Sequence, residues 1–187
     1  MYTTEDHGIE LLKTLQDALS GELQAAANYQ AYARNADLEG HHVPAALFRS
    51  VAYAENVHAR NHVEAIRGLG EIPQPEPVRP PVVESTHANL SSSIAGEELE
   101  RDSGYPRRIT VASGAHESQS LRSLILAAMA EAGHAQMFSD ALGSLHHNSP
   151  AEARFFVCPT CGNVTDTNEI RFCTVCHGDA ANLLGMS

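Results

Sequence analysis

Glu55-Asn56-Val57-His58 and Glu131-Ala132-Gly133-His134 write one four-residue pattern twice, and each copy follows a Gly-Glu pair, Gly21-Glu22 and Gly96-Glu97. Glu55 stands 33 residues after Glu22, and Glu131 stands 34 after Glu97. A Glu-x-x-His pair sets a carboxylate and an imidazole on one helix face, one turn apart. Two such helices, each beside a helix with a lone inward Glu, compose the two-metal carboxylate site of a four-helix bundle.

Working outward, the apolar spacing places a helix around each ligand. Leu12, Leu15, Leu19, Glu22, Ala26, Tyr29 and Ala33 step by three and four, predicting a first helix from Thr4 or Glu5 to Leu38. Phe48, Val51, Glu55, His58, His62 and Ala65 do the same over about 43–68, and the short Gly40 to Pro44 break makes the two an antiparallel hairpin. Helix three is expected over about 86–113, kinked or locally unwound at Gly104-Tyr105-Pro106, and helix four over about 118–145. Between the hairpins, Gly70 to Pro81 holds five prolines in twelve residues, which forbids helix and favours extended polyproline II. About fourteen such residues reach roughly 43 Å, the length of a long helix. The expected fold is mainly α, a ferritin-like four-helix bundle with one long crossover.

Glu22, Glu55, Glu97, Glu100 and Glu131 fall on or beside the inward stripes, and no Lys or Arg accompanies them on those stripes in helices one, two or four. Buried carboxylates need a positive partner, and two metal ions supply it, with His58 and His134 adding nitrogen ligands suited to iron. Glu100 breaks the symmetry, since Ala25 occupies its place in the first half. Tyr29 and Tyr105 each follow a ligand Glu by two turns, as a phenol bonded to a carboxylate or as a core aromatic. His62, one turn beyond His58, reads as a supporting or simply buried histidine.

All four cysteines lie in C-x-x-C pairs, Cys158/Cys161 and Cys173/Cys176. Four soft thiolates at this spacing form a tetrahedral site that accepts iron or zinc. The residues after 150 are too few for a core of their own and need a metal staple, which predicts a bundle domain over 1–149 and a small metal domain over 150–187. Twelve Lys and Arg against 23 Asp and Glu leave a formal charge of −11, unsuited to nucleic acid or anionic membrane surfaces. No apolar run approaches a membrane span, and Met1 to Asp6 lacks the basic and apolar regions of a signal peptide, so a cytoplasmic protein is expected. No G-x-G-x-x-G marks a nicotinamide or flavin site, so electrons are expected from a partner protein.

These residues, with Gly96-Glu97-x-x-Glu100, Tyr105-Pro106 and the rubredoxin-like knuckle Cys158-Pro159-Thr160-Cys161-Gly162, resemble the rubrerythrin family over nearly the whole chain. The second knuckle, Cys173-Thr174-Val175-Cys176-His177, lacks the matching Pro and Gly. The resemblance implies a di-iron site and a one-iron tetrathiolate site on one chain, and reduction of hydrogen peroxide to water with electrons returning through the rubredoxin-like domain. It also implies a ligand exchange at one iron between His58 and Glu100, and a homodimer or higher homo-oligomer in which one subunit's thiolate iron serves its neighbour. The proline-rich crossover leaves exchange of helices between subunits open. Two alternatives use the same ligands: a ferroxidase or iron-handling protein, and a non-catalytic sensor with a zinc ribbon.

Overall fold

The computed structural model describes residues 4–145 and 154–187. Helices α1 (Thr4–Leu38) and α2 (His42–Gly68) form the first hairpin. The second consists of α3 (Thr86–Leu99), a π-helical turn over Glu100–Gly104, α4 (Tyr105–Ala115) and α5 (Ser118–Gly143). The break expected at Gly104-Tyr105-Pro106 is thus a π turn that ends at Gly104, with Tyr105 and Pro106 opening the next helix.

At the end of α2 the backbone turns through Gly70 at φ +80°, a left-handed conformation that costs Gly no Cβ clash, and the Glu71 amide caps back onto the Ile66 carbonyl. The extended crossover then runs along α1, fastened by side chains at helical spacing. Gln16 bonds the backbone of Ile72 and Gln74, Ser20 accepts from the Glu76 amide, Gln24 bonds Arg79 through both its amide atoms, and Asn35 reaches the Glu84 carbonyl. From Gln16 to Asn35 is roughly 28 Å of helix. The prolines lack amides, and α1 supplies partners to the backbone groups between them. Ser85 caps α3 by accepting from the Ala88 amide.

Two apolar clusters fill the bundle. One gathers Tyr29, Tyr32, Phe48, Val51, Leu90 and Phe138, with ring centroids 5.2–6.2 Å apart among its aromatics. The other gathers Leu11, Leu15, Leu19, Ile66, Tyr105 and Leu124. In α1, α2 and α5 the predicted ligands fall between residues of the two clusters, and Glu97 of α3 falls between Leu90 of the first and Tyr105 of the second, so apolar layers flank the carboxylate layer at both ends.

The cysteine-bearing segment forms a three-stranded antiparallel sheet in the order β2-β1-β3, from β1 (Phe155–Val157), β2 (Val164–Thr165) and β3 (Leu184–Met186). Phe155, Val157 and Val164 pack into the first apolar cluster, so the sheet rests on the bundle. The predicted boundary at 149/150 lies outside the described residues.

Candidate metal centre

Glu22, Glu55, Glu97, Glu131, His58 and His134 are all buried, at most 7% exposed. Their ligand atoms form two sets, each mutually within 4.8 Å: Glu22, Glu55, His58 and Glu131, then Glu55, Glu97, Glu131 and His134. Glu55 and Glu131 belong to both. The duplicated sequence pattern therefore becomes two adjoining cation positions sharing two carboxylates, each completed by one Glu and one His of its own. The imidazoles of His58 and His134 stack at 5.8 Å with an interplanar angle of 22°.

Each imidazole divides its nitrogens between two tasks. His58 Nδ1 faces Glu55 at 2.9 Å and Glu131 at 3.2 Å, and His134 Nδ1 faces Glu131 at 3.2 Å and Glu55 at 3.4 Å. Nε2 of His58 meets the Cys161 carbonyl at 3.0 Å, and Nε2 of His134 meets the Gly162 carbonyl at 3.1 Å. Nδ1 of each ring is thus the nitrogen turned to the carboxylates, and the carbonyl on Nε2 fixes the tautomer.

The protonation pattern marks a site built for cations. Burial alone would depress both imidazoles, yet the surrounding carboxylates hold each well above the ordinary histidine value. Glu97 is pushed up to about 8, by burial and then by Glu131. Glu55 is raised by burial and by Glu97. Burial also acts upward on Glu22, but His58 and His62 overcome it and hold the carboxyl well below the usual range. Oε1 of Glu55 has no hydrogen-bond partner although fully buried. An acceptor orphaned among four carboxylates and two imidazoles fits two divalent cations, which would satisfy it and offset the excess negative charge.

Both tyrosines bond ligand carboxylates, and they do so crosswise. Tyr29 of α1 donates to Glu97 of the second half at 2.5 Å, and Tyr105 of α4 donates to Glu22 of the first. Burial and the neighbouring carboxylates raise both phenols well above their ordinary value, so each keeps its proton to donate. His62 is buried between Ser123, at 2.7 Å from its Nδ1, and Tyr105, at 3.3 Å from its Nε2. Ser123 carried no signal in the sequence, since a lone serine on a helix has no spacing to read.

Glu100 is not brought into the cluster. Its carboxylate lies on the Arg108 guanidinium, which also stacks over the Tyr105 ring at 5.1 Å. Both residues line a cleft of about 700 Å³ that also reaches Glu22, Glu55, Glu97 and Glu131, with Gln24 and Arg79 on its rim.

Cys158, Cys161, Cys173 and Cys176 gather their sulfurs within 4.8 Å, with 3.6 Å between Cys158 and Cys176 and between Cys161 and Cys173. The two knuckles are built alike. The Gly162 amide bonds the Cys158 carbonyl at 2.9 Å, and the His177 amide bonds that of Cys173 at 3.0 Å. The Gly missing from the second knuckle is replaced by His177 in the same left-handed region, at φ 59° against 78° for Gly162. The hydrogen bond between Cys161 and Cys158 lowers the Cys158 thiol to about 4 and pushes Cys161 well up, so a tetrathiolate ion must displace protons from the cluster.

The first knuckle is seated on the bundle by four successive carbonyls. Pro159 accepts from Arg60 at 2.5 Å and Thr160 from Asn61 at 2.9 Å, ahead of Cys161 and Gly162 on the two histidines. The two metal sites of one chain are therefore in contact.

A four-helix bundle with paired Glu-x-x-His helices, shared carboxylates and a thiolate domain docked on its histidines defines a ferritin-like di-iron protein with a second, cysteine-bound metal. Residues 13–142 match the family model described as Rubrerythrin. Rubrerythrin-2 of Clostridium acetobutylicum is 30% identical over 165 residues, covering 87% of this chain and 89% of that one. Nigerythrin of Nitratidesulfovibrio vulgaris is 28% identical, covering 88% and 81%. The solved mixed-valence nigerythrin superposes with a TM-score of 0.86 over 94% of this chain and 86% of its own. A Desulfovibrio desulfuricans bacterioferritin, 18% identical, shares the fold at a TM-score of 0.72 over 81% of this chain and 95% of its own. The chain belongs to the rubrerythrin family. It is a di-iron oxidoreductase of the kind that acts in oxidative-stress defence. Among the described residues no helix is long and apolar enough to cross a membrane.

Proposed function

We propose that the chain is a peroxidase that converts hydrogen peroxide to water, H2O2 + 2 H+ + 2 e− → 2 H2O, with electrons drawn from a donor protein through the cysteine site. In this reading Glu22, Glu55, Glu97, Glu131, His58 and His134 hold two irons, and Glu100 joins them, exchanging with His58. Cys158, Cys161, Cys173 and Cys176 hold a third. The bundle, residues 1–149, is the reaction domain, and residues 150–187 are the relay. When bound, the iron pair supplies the redox capacity for a two-electron reduction.

The observation that carries the reading is the pair of bonds from His58 and His134 to the carbonyls of Cys161 and Gly162. A protein that only oxidises and stores iron has no use for a thiolate centre wired to its ligand histidines. The chain's own residues then have defined tasks. The cleft admits a small substrate to the carboxylate layer. Tyr29 and Tyr105 orient Glu97 and Glu22 and keep them from swinging. The apolar layers above and below limit water, which strengthens each interaction inside. The reading places the protein in the cytoplasm as a homodimer or higher homo-oligomer.

Anaerobic stopped-flow on iron-loaded, fully reduced protein tests this. Mixing with hydrogen peroxide should oxidise the near-ultraviolet di-iron chromophore quickly, with the visible thiolate-to-iron band following, and dioxygen should react much more slowly. Dioxygen reacting as fast as peroxide would favour an oxidase or storage role. A visible band that never changes after peroxide would remove the relay.

A further inference from the structure

Both Gly-Glu pairs place a glycine within a helix, Gly21 in α1 and Gly96 in α3, immediately before a predicted ligand carboxylate. The backbone requires neither. Among the described residues the glycines with left-handed φ are Gly40, Gly70 and Gly162, and a Cβ added at Gly21 or Gly96 would meet nothing within 4 Å. Alanine would fit at both positions and strengthen the helix. What the two glycines share is the cleft: both line it, both are exposed toward its mouth, and the space a side chain would take belongs to it. We propose that Gly21 and Gly96 are specificity-determining residues that keep the cleft wide enough for an alkyl hydroperoxide, ROOH, to reach the carboxylate layer. The proposal rests on the peroxidase reading and assigns a larger substrate class to the same site.

Volume separates a channel for hydrogen peroxide from a seat for something larger. A water takes about 30 Å³ of liquid, and hydrogen peroxide is one oxygen larger. The cleft holds about 700 Å³, roughly twenty water volumes and inside the ~300–1,000 Å³ range of sites for small organic molecules. It opens where α1, packed closely on α2, hardly touches α3, and the crossover contributes Glu76, Pro77 and Arg79 to its rim. Glu55, whose Oε1 is buried without a hydrogen-bond partner, lines its inner end. The peroxide group of a substrate reaches this end, which leaves its substituent at the level of the glycines.

The outer walls suit an apolar, uncharged substituent. Ala18, Ala25 and Leu99 line the cleft with the glycines, and Leu99 is 65% exposed and belongs to neither apolar cluster. An alkyl group in the cleft would cover it. Glu76 and Arg79 offset one another at the rim, so the mouth does not call for a charged group. The chemistry balances as it does for the smaller substrate, ROOH + 2 H+ + 2 e− → ROH + H2O. The O–O bond breaks, one oxygen leaves in the alcohol and the other in water, and the electrons come from the donor protein through the cysteine site.

The test is anaerobic stopped-flow on the full chain, iron-loaded, chemically reduced and freed of excess reductant, mixed separately with cumene hydroperoxide and with hydrogen peroxide. Cumene hydroperoxide should oxidise the parent within about tenfold of the hydrogen peroxide rate, less discrimination than a misfitted methylene gives, and yield 2-phenyl-2-propanol. Gly21→Leu and Gly96→Leu keep helix propensity and fill the gap, and each should lower the ratio of the two rates at least about tenfold. A double variant, Gly21→Ala with Gly96→Ala, adds only two methyl groups; it should lower the ratio about threefold and melt a few degrees above the parent. It decides the matter if a leucine variant does not fold. A cumene hydroperoxide rate in the parent further than about tenfold below that of hydrogen peroxide would overturn the proposal. So would variants that leave the ratio unchanged, whether they slow both reactions or neither. Failure of the underlying reading is distinct, since hydrogen peroxide itself would then oxidise the parent no faster than dioxygen.

Discussion

Nε2 of His58 donates to the carbonyl oxygen of Cys161 at 3.0 Å while Nδ1 of the same ring faces the carboxylates of Glu55 and Glu131. One imidazole thus spans from the carboxylate layer to the backbone of a cysteine knuckle. His134 repeats the arrangement on Gly162. A histidine ligand normally donates its second N–H to a carboxylate, carbonyl or water that fixes its orientation. Here those carbonyls belong to the second metal domain. Seating of the cysteine domain and orientation of the ligand imidazoles are therefore one structural event.

Gly162 is where this coupling is most exposed to a single change. It sits at φ +78°, and a Cβ there would collide with the His58 imidazole and lie 3.0 Å from the Ala54 carbonyl. Gly162→Ala should cost about 1–3 kcal/mol from the left-handed backbone and the clash together. It should also slow donor-driven turnover more than peroxide oxidation of chemically reduced protein. Denaturant midpoints with the cysteine site loaded, alongside both rates, check this. Equal slowing of both rates would place the damage in the bundle.

Metal loading and pH should oppose each other in a defined direction. His58 and His134 have raised affinities for protons in the apo fold, and Glu97 is raised to about 8. The folded apo protein then binds more protons than the unfolded chain, so its stability is highest below the unfolded values and falls as pH rises through the folded ones. Glu22 is shifted the other way, so its contribution is present at neutral pH and is lost only in acid. Between about pH 5 and 8 the metal-free protein should lose stability with rising pH. Ferrous affinity should climb over the same window, because the same protons must leave. Urea midpoints of chelated and loaded protein across this range should slope in opposite senses.

The buried pair His62–Ser123 is a stability element that can be taken apart. Burial lowers His62 despite the pull of Glu22, so the ring is held neutral beside Ser123 and Tyr105. Ser123→Ala strands the Nδ1 position and should cost about 1–3 kcal/mol. His62→Leu combined with Ser123→Ala should cost less than the two single changes summed, by about 1 kcal/mol, since both polar partners then leave together. Strict additivity in a double-mutant cycle would show the pair to be uncoupled.

How far the sequence was legible depended on the range of the interaction. The candidate ligands within each helix could be picked out by spacing alone, because the turn of a helix fixes which face Glu55 and His58 share. The proline run likewise announced an extended crossover, although the Gln16, Ser20 and Gln24 fastenings needed the two segments side by side. Pairings between helices were less visible. Tyr29 and Tyr105 read equally as partners of ligand carboxylates or as core aromatics, and helical spacing does not say that each crosses to the other half. Glu100 shared the inward register of Glu97, and only the π turn shows why it meets Arg108 instead. In the tail, the weak second knuckle hid a conformation that His177 adopts in place of Gly.

The electron route is tested most directly at Cys158, whose sulfur lies 3.6 Å from that of Cys176 and whose removal leaves three thiolates. Cys158→Ala breaks the tetrathiolate site while sparing the carbonyls of Pro159 to Gly162, which hold the domain on Arg60, Asn61, His58 and His134. The carboxylate cluster shares no side chain with the cysteine site, so a di-iron centre reduced by small-molecule reductant should still complete one peroxide turnover. Continuous turnover driven by a donor protein should fall at least about a hundredfold, the size of effect expected when a metal site is lost. If donor-driven turnover in the variant equals that of the parent, electrons reach the bundle by another path. If the single turnover is also lost, the cysteine domain acts by seating His58 and His134 rather than by carrying charge. Comparing these two rates in one variant therefore separates relay from support.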